Sequence, residues 1–363
     1  MNIPLVKVYM DEDIKKAVSE VLDSGWYILH EKTLEFEKKF AEFCKVKNAI
    51  CVSSGTAAIF LSLQALDIKP GDEIIIPSFS FIATANQIIE VGAKPIFVDI
   101  ETRTCNIDPE RIRKAVTKRT KAIMPVHLYG HPADMDPILE IAKEKDLYVI
   151  EDACQAHGAE YKGRRTGGIG DVACFSFYPS KNMTVCGDGG AVVTNDDEIA
   201  EKVRRMRDHG RKDKYLFDMK GYNQRFNEIQ AAIGIKQLEK LPKWNDARRK
   251  IAKIYTQALK DFVVTPVEEK WAKHVYHLYV IRTSKRNELR EHLRKHGVST
   301  LVHYPIPIHQ QPVITSILGV QPTLENTEKV AKEVLSIPMH PALTEQEVEY
   351  ISDKIADFSK KHE

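Results

Sequence analysis

Apolar residues recur at helical spacing over Ile14, Ala17, Val18, Val21 and Leu22, with Asp11 placed to cap the run and Gly25 to end it. A second such run carries Leu34, Phe36, Phe40 and Phe43 and leads to a short continuous apolar stretch at 49–52 that predicts a buried strand. From there the pattern alternates. Strands are predicted at 73–76, 95–98, 121–126, 149–152 and 172–177, with helices at 109–116, 135–145 and 196–208 between or after them. This βα repetition argues for a mostly parallel sheet covered on both faces. Pro242 is expected to break the pattern, and a helix at 244–259 to bridge to a smaller unit with strands at 277–281 and 299–302 and helices at 285–296 and 324–334. The chain thus divides into a large domain, 1–241, and a small one, 242–363, ending in DFSKKHE, which reads as frayed.

Two of the strands end in chemistry. Val149 and Ile150 run apolar into Glu151 and Asp152, so a buried strand delivers a carboxylate at its carboxyl end, where open α/β sheets place ligands. The run at 172–177 is stopped by Pro179 and sets Lys181 just beyond it, beside Gly187, Gly189 and Gly190. Taken alone, Lys181 reads as a solvated loop lysine. Apolar walls would disfavour its ammonium form, and with Asp152 it meets two needs of a pyridoxal phosphate site: an amine for the aldehyde and an acid for the pyridine nitrogen.

Other positions are open to two readings. Ser53, Ser54, Gly55 and Thr56 lie between a strand and a helix, where free N–H groups can cradle an anion or merely cap the helix. In PSFSFIATANQI, Phe79 and Phe81 are either core residues or rings able to lie on a flat cofactor. Gln155, three residues past Asp152, can donate to a phenolic oxygen, and Ser176 either faces a phosphate or is satisfied by backbone. His127, Tyr129 and His131 in HLYGHPADMDPI form no closed metal set and read as loop polarity, while His157 reads as a structural histidine under the site. GGIGD at 167–171 fails GxGxxG and opens no helix, which excludes a nicotinamide fingerprint.

Together the strings EDACQAHGA, FSFYPSKN and GDGG resemble the sugar-nucleotide aminotransferases of the DegT/DnrJ/EryC1/StrS family, and the likeness covers nearly the whole chain. The resemblance implies an α/β protein of PLP-dependent transferase fold type I, aspartate aminotransferase-like, with helices covering a mostly parallel sheet and a smaller α+β C-terminal domain. It implies ping-pong transamination with pyridoxal 5'-phosphate, by way of the pyridoxamine phosphate form, with Lys181 catalytic. Gly55, Thr56, Phe81, Asp152, Gln155, Ser176, Lys181 and Asn223 are the implied cofactor residues: the Gly-Thr pair on the phosphate, the ring four residues past Pro77 on the pyridine. The family sends the loop with Asn223 and Arg225 into the neighbouring subunit, so a homodimer with shared active sites is implied. NMTVCGDGG departs from the small, glycine-containing stretch common in relatives, and a different wall beside Lys181 is expected.

The implied substrates are L-glutamate and a nucleotide-linked keto sugar, with Trp26, Tyr27, Tyr304 and His309 expected beside the sugar and no metal. GYNQRFNEIQAA, with Glu228 and Gln230, and HYPIPIHQQP look most like members that aminate carbon 3 of a dTDP-linked 3-keto-6-deoxyhexose. The alternatives are carbon 4 of a dTDP-, UDP- or GDP-linked 4-keto-6-deoxy sugar and, third, a cyclitol ketone. A sugar dehydratase of this fold would have histidine in place of Lys181, and a regulator retaining the fold would be expected to have lost Lys181 or Asp152.

Composition narrows the partners. The 363 residues carry 53 Lys and Arg against 51 Asp and Glu, so no basic field draws nucleic acid and a phosphorylated ligand must be held locally. Cys44, Cys51, Cys105, Cys154, Cys174 and Cys186 include no CxxC pair, and several lie in apolar runs, which points to a reducing cytoplasm. Neither a signal peptide nor a membrane span is legible.

Overall fold

The βα alternation closes into one large sheet. The computed structural model describes residues 2–361. Helices α1 (Glu12–Ser24) and α2 (Glu31–Cys44) lead into β1 (Asn48–Val52), then α3 (Gly55–Ala65), β2 (Glu73–Pro77), α4 (Ala83–Glu90) and β3 (Lys94–Val98). The alternation continues with α5 (Pro109–Ala115), β4 (Thr120–Ile123), α6 (Met135–Lys145) and β5 (Tyr148–Asp152). A short ribbon, β6 (Glu160–Tyr161) and β7 (Arg164–Arg165), precedes β8 (Val172–Ser176), β9 (Gly190–Thr194) and α7 (Asp197–Met206). Among the described residues the sheet has seven strands in the order β1, β9, β8, β5, β4, β2, β3. Strand β9 is antiparallel to both neighbours, and the other neighbouring pairs are parallel. The carboxyl ends of β1, β2, β5 and β8 therefore share one edge, and β9 begins there.

Side chains alternate across each strand. Ile150 on β5, and Val172 and Cys174 on β8, face a core shared with α3, α4 and α7, so Asp152 and Ser176 follow on that same face. Glu151 points the other way. There its buried carboxylate accepts the amides of Gly167, Ile169 and Gly170 at 2.8 Å and the His127 Nε2–H at 2.9 Å. Burial opposes the charge, but His127 and these amides more than offset it and lower the Glu151 pKa. His127 Nδ1 accepts the Ala133 amide at 3.0 Å, which fixes the tautomer.

This corrects the reading of His127, Tyr129 and His131 as loop polarity: all three are buried. His131 likewise uses both nitrogens, on the Pro132 carbonyl at 2.7 Å and the Glu269 amide at 3.2 Å. Among the described residues no group of three or more His, Cys, Asp or Glu side chains gathers to hold a metal.

Helix α8 (Glu228–Leu259) runs unbroken for 32 residues with Pro242 inside it, against the expected break. Proline removes one helical hydrogen bond, a local cost that packing overrides here. Leu241 is fully buried before it, and Asn245 and Arg248 are buried after it. The first half of α8 puts Ala231, Ile235, Leu238 and Leu241 into the core on the opposite face of the sheet, with Ala173 and Phe175, and the second half puts Ile251, Ala252, Tyr255 and Leu259 into another.

The rest of the chain completes that second core only in part, since Ile314 joins the core under α3 while Val330 and Ala331 join a smaller one with Phe79 and Leu278. Strand β10 (Ala272–Lys273) joins β6, and β11 (Tyr279–Arg282), α9 (Arg286–Lys295), α10 (Pro312–Leu318), α11 (Glu325–Glu333), β12 (Val334–Ile337) and α12 (Glu345–Lys360) follow. The expected strand at 299–302 is reduced to one bridge, Leu301 to Ser336. Strand β11 pairs instead with β12, which begins where the helix was expected to end. Helix α12 continues through the DFSK segment expected to fray, because Phe358 is buried with Ile351 and Ile355. The last two residues, His362 and Glu363, lie outside the described residues. Among those residues no helix is long and apolar enough to cross a membrane.

Candidate active site

The strand ends meet at a pocket of about 430 Å3. Asp152 enters it from the end of β5, and Lys181 from the turn after β8, where its amide bonds the Tyr178 carbonyl at 2.8 Å. Burial lowers the pKa of the Lys181 ammonium from 10.5, with Cys154 and Asp152 acting the other way. The lysine is thus poised toward the neutral amine that attacks a carbonyl.

A cup lies where β1 passes into α3. Ser54 Oγ accepts the Ala57 amide at 3.0 Å and the Ser54 carbonyl accepts that of Ala58 at 3.0 Å. Ser54 is therefore a true N-cap. The next two amides, of Gly55 and Thr56, have no acceptor within the helix and stand at its positive end, which suits a phosphate. Glycine is required in this corner: a Cβ on Gly55 would lie 2.7 Å from Ser176 Cβ, and one on Gly190 2.4 Å from the Ser54 carbonyl. The absence of both lets the start of α3 settle against β8 and β9 and brings Ser176 to the cup.

A flat slot adjoins it. Phe79 is fully buried in the core, while Phe81 is 54% exposed and lines the pocket. Gln155 Oε1 accepts the Tyr129 amide at 2.8 Å, so its Nε2 is left to point inward, where it donates to Tyr304 Oη at 3.2 Å. His277 and His303 complete the far wall. Burial, then Lys181, holds His277 well below its usual range and His303 at about 4, so both stay uncharged at neutral pH. His157 sits behind the wall against Phe175 and Phe177, held by burial at about 3.

Several expected residues lie elsewhere. His309 is not beside the pocket: it is 3% exposed, with Nδ1 on Ser78 Oγ at 2.6 Å and Nε2 on Glu328 at 3.3 Å. Both ring nitrogens are engaged in tying the exit of β2 to α11, which leaves none for a sugar. Trp26 and Tyr27 are 61% and 47% exposed, away from this pocket, and the Trp26 ring stacks on His30 at 4.4 Å. Asn223 is exposed on the loop between α7 and α8, bridged to Asp208 and off the pocket of its own chain. Conversely, Ser80, Thr84, Tyr178, His277 and His303 line the pocket without having been singled out. Thr84, three residues past Phe81, and His303, beside Tyr304, were close to residues that were.

The chain matches the DegT/DnrJ/EryC1/StrS aminotransferase family over residues 8–356. It belongs to that family. This aminotransferase is 45% identical to a protein of Geobacillus stearothermophilus named pleiotropic regulatory protein, over 99% of each chain. It is 42% identical to dTDP-3-amino-3,4,6-trideoxy-alpha-D-glucose transaminase of Streptomyces venezuelae, over 95% of this chain and 92% of that one. The crystal structure of S. venezuelae DesV in complex with a ketimine intermediate matches with a TM-score of 0.94 at 40% identity, covering 98% of this chain and 99% of that one. The chain is a sugar-nucleotide aminotransferase dependent on pyridoxal phosphate.

The pocket fits that cofactor. The cup at Gly55, Thr56 and Ser176 suits its phosphate, the slot beside Phe81 its ring, Asp152 its pyridine nitrogen and Lys181 its aldehyde. When bound, the cofactor carries the amino group and withdraws electrons from the reacting carbon.

Proposed function

We propose that this aminotransferase moves the amino group of L-glutamate to carbon 3 of a dTDP-linked 3-keto-6-deoxyhexose, giving a dTDP-3-amino-3,6-dideoxyhexose. The observation that carries the chemistry is the convergence of Lys181, its ammonium disfavoured by burial, with Asp152 at one sheet edge. With the cofactor bound, Lys181 would be the residue that holds its aldehyde and, as the free amine, the base that would carry the proton at the reacting carbon. Asp152 would keep the ring nitrogen protonated. Gly55, Thr56 and Ser176 would hold the phosphate, Phe81 would cover the ring, Gln155 would donate to its phenolic oxygen, and Tyr304 would stand on the substrate side.

Asn223, exposed on its loop, serves a second copy of the chain, so the working unit is a homodimer with shared sites. The large domain extends to about Leu241 and the small one follows, joined through α8. Six free cysteines, most of them buried, favour a reducing cytoplasm.

Carbon 3 is favoured by the Streptomyces relative, whose name gives a 3-amino sugar. Glu228 lends no support, because its carboxylate is engaged by backbone amides at the start of α2. A UDP-linked 3-keto sugar is the second reading, favoured by relatives named for such substrates. The test offers the enzyme L-glutamate with the 3-keto and 4-keto dTDP-6-deoxyhexoses and a UDP-linked 3-keto sugar, and locates the new amine by NMR. An amine at carbon 3 of the dTDP sugar is expected. One found only at carbon 4 overturns the regiochemistry, and one found only on the UDP sugar overturns the nucleotide.

A further inference from the structure

Asp152 is held on both of its oxygens. Oδ1 accepts the Cys154 amide at 3.2 Å, and Oδ2 accepts the Thr84 hydroxyl at 2.9 Å. A carboxylate has no hydrogen to give, so Thr84 is the donor. Its single hydrogen is then committed, and the contact of Ser80 Oγ with Thr84 Oγ1 at 3.2 Å runs with Ser80 donating. The direction of the chain is fixed: Ser80 to Thr84 to Asp152. All three residues are buried and line the pocket.

This arrangement is not the usual one for a threonine at a helix start. Such hydroxyls commonly bond nearby backbone, whereas Thr84 reaches a side chain 68 residues away in sequence. The turn that makes it possible is the one that presents Phe81. The Thr84 amide bonds the Phe81 carbonyl at 3.2 Å, so one turn carries both the exposed ring and the hydroxyl three residues on.

We propose that Thr84, backed by Ser80, is a positioning residue for the pyridine ring: it fixes the orientation of the Asp152 carboxylate, and so keeps that carboxylate aimed at the protonated ring nitrogen. The inference rests on the pyridoxal phosphate cofactor. A hydrogen bond donated to an ionised group is among the stronger ones, and partners behind a ligating carboxylate set its direction. Without the hydroxyl, Asp152 is free to turn, its oxygen no longer stays aimed at the ring nitrogen, and the proton there is less favoured. A ring nitrogen that carries less positive charge no longer repels a proton on the Lys181 nitrogen once that is joined to the cofactor. The visible band of the loaded protein then persists to higher pH.

Thr84→Val removes the hydroxyl with little change of shape, and Thr84→Ser keeps it. Each variant, loaded with pyridoxal phosphate, is titrated across neutral pH by visible absorbance, and kcat and KM for glutamate are measured alongside. For Thr84→Val the midpoint is expected to rise by about one pH unit and kcat to fall roughly tenfold or more, with KM little changed. Thr84→Ser is expected to restore both, and Ser80→Ala to shift the midpoint the same way by less. A Thr84→Val midpoint equal to wild type overturns the proposal, as does a Thr84→Ser that behaves like Thr84→Val. Should Thr84→Val fail to fold, Ser80→Ala carries the test alone, and an unchanged midpoint there overturns it. A wild-type protein that develops no visible band overturns the cofactor assignment itself, which separates that failure from this one.

Discussion

Replacing Glu228 by glutamine tests how α2 is held against α8. The Glu228 carboxylate is buried at the start of α8, yet it caps a different helix. Oε1 accepts the amides of His30 at 2.8 Å and Thr33 at 3.0 Å together with the Thr33 hydroxyl, and Oε2 accepts the Lys32 amide at 2.7 Å. His30, the N-cap of α2, makes no side-chain cap of its own. An amide in place of the carboxylate keeps one acceptor oxygen and turns a donor NH2 toward the Lys32 N–H. One charge-assisted bond is lost, worth about 1.5 to 3 kcal/mol, and so is a negative charge at a helix N-terminus, worth about 0.3 to 1 kcal/mol. The expected cost is about 2 to 4 kcal/mol, read from urea unfolding of the cofactor-free protein as a lower midpoint at an unchanged slope. KM for the sugar nucleotide should barely move. A variant within about 0.5 kcal/mol of wild type that instead raises KM would refute the cap and return Glu228 to the substrate.

Because the folded pKa of Lys181 lies below 10.5, the unfolded chain binds more protons there, so the buried lysine costs stability at neutral pH and the cost fades as pH rises toward 10.5. Lys181→Met should therefore abolish transamination while raising the unfolding midpoint of the cofactor-free protein at neutral pH, and a lowered midpoint would contradict the burial argument. Gly190→Ala places a Cβ at 2.4 Å from the Ser54 carbonyl and should weaken cofactor binding at least tenfold by equilibrium titration, with wild-type affinity showing that the cup does not depend on this contact. Mixing inactive Lys181→Ala with an inactive double variant, Asn223→Ala and Arg225→Ala, should restore activity through hybrid dimers that contain one intact site, and no recovery after demonstrated subunit exchange would count against shared sites.

The parts of the site that could be read in the sequence are those set by strand ends. Asp152 and Lys181 follow short apolar runs, and a buried strand that stops must present its next side chains at the sheet edge. Gly55 and Ser176 also lie at strand ends, but the sequence left each open to two readings, and it was the family resemblance that put them on a phosphate. What could not be read depends on segments far apart in the chain. His277 and His303 enter the pocket from the second core, and no local pattern distinguishes them from other loop histidines. His309 looked like a loop donor because its partners, Ser78 and Glu328, are remote from it in sequence. Pro242 was misread for a related reason: its local preference is to end a helix, but Leu241 and Arg248 are buried on either side of it. Strand β12 hid behind a helical pattern read as far as Val334, which is the strand's own first residue.

The unbroken run of α8 makes its length a gauge. The helix is seated in the core with Ala173 and Phe175 by Leu238 and Leu241 and in the second core by Ile251 and Tyr255, with no loop between to absorb an error. On the far side of Pro242, Arg248 grips the carbonyls of Tyr276 at 3.1 Å and Met339 at 2.8 Å, just where the chain enters and leaves the β11 and β12 pair. One residue added between Leu241 and Asn245 would advance everything beyond it by about 1.5 Å and swing it by about 100°. Arg248 would then point away from those carbonyls, and the wall bearing His277 and Tyr304 would lose its alignment with Lys181. A point substitution in this stretch can be absorbed by repacking, but a change in the count of residues cannot.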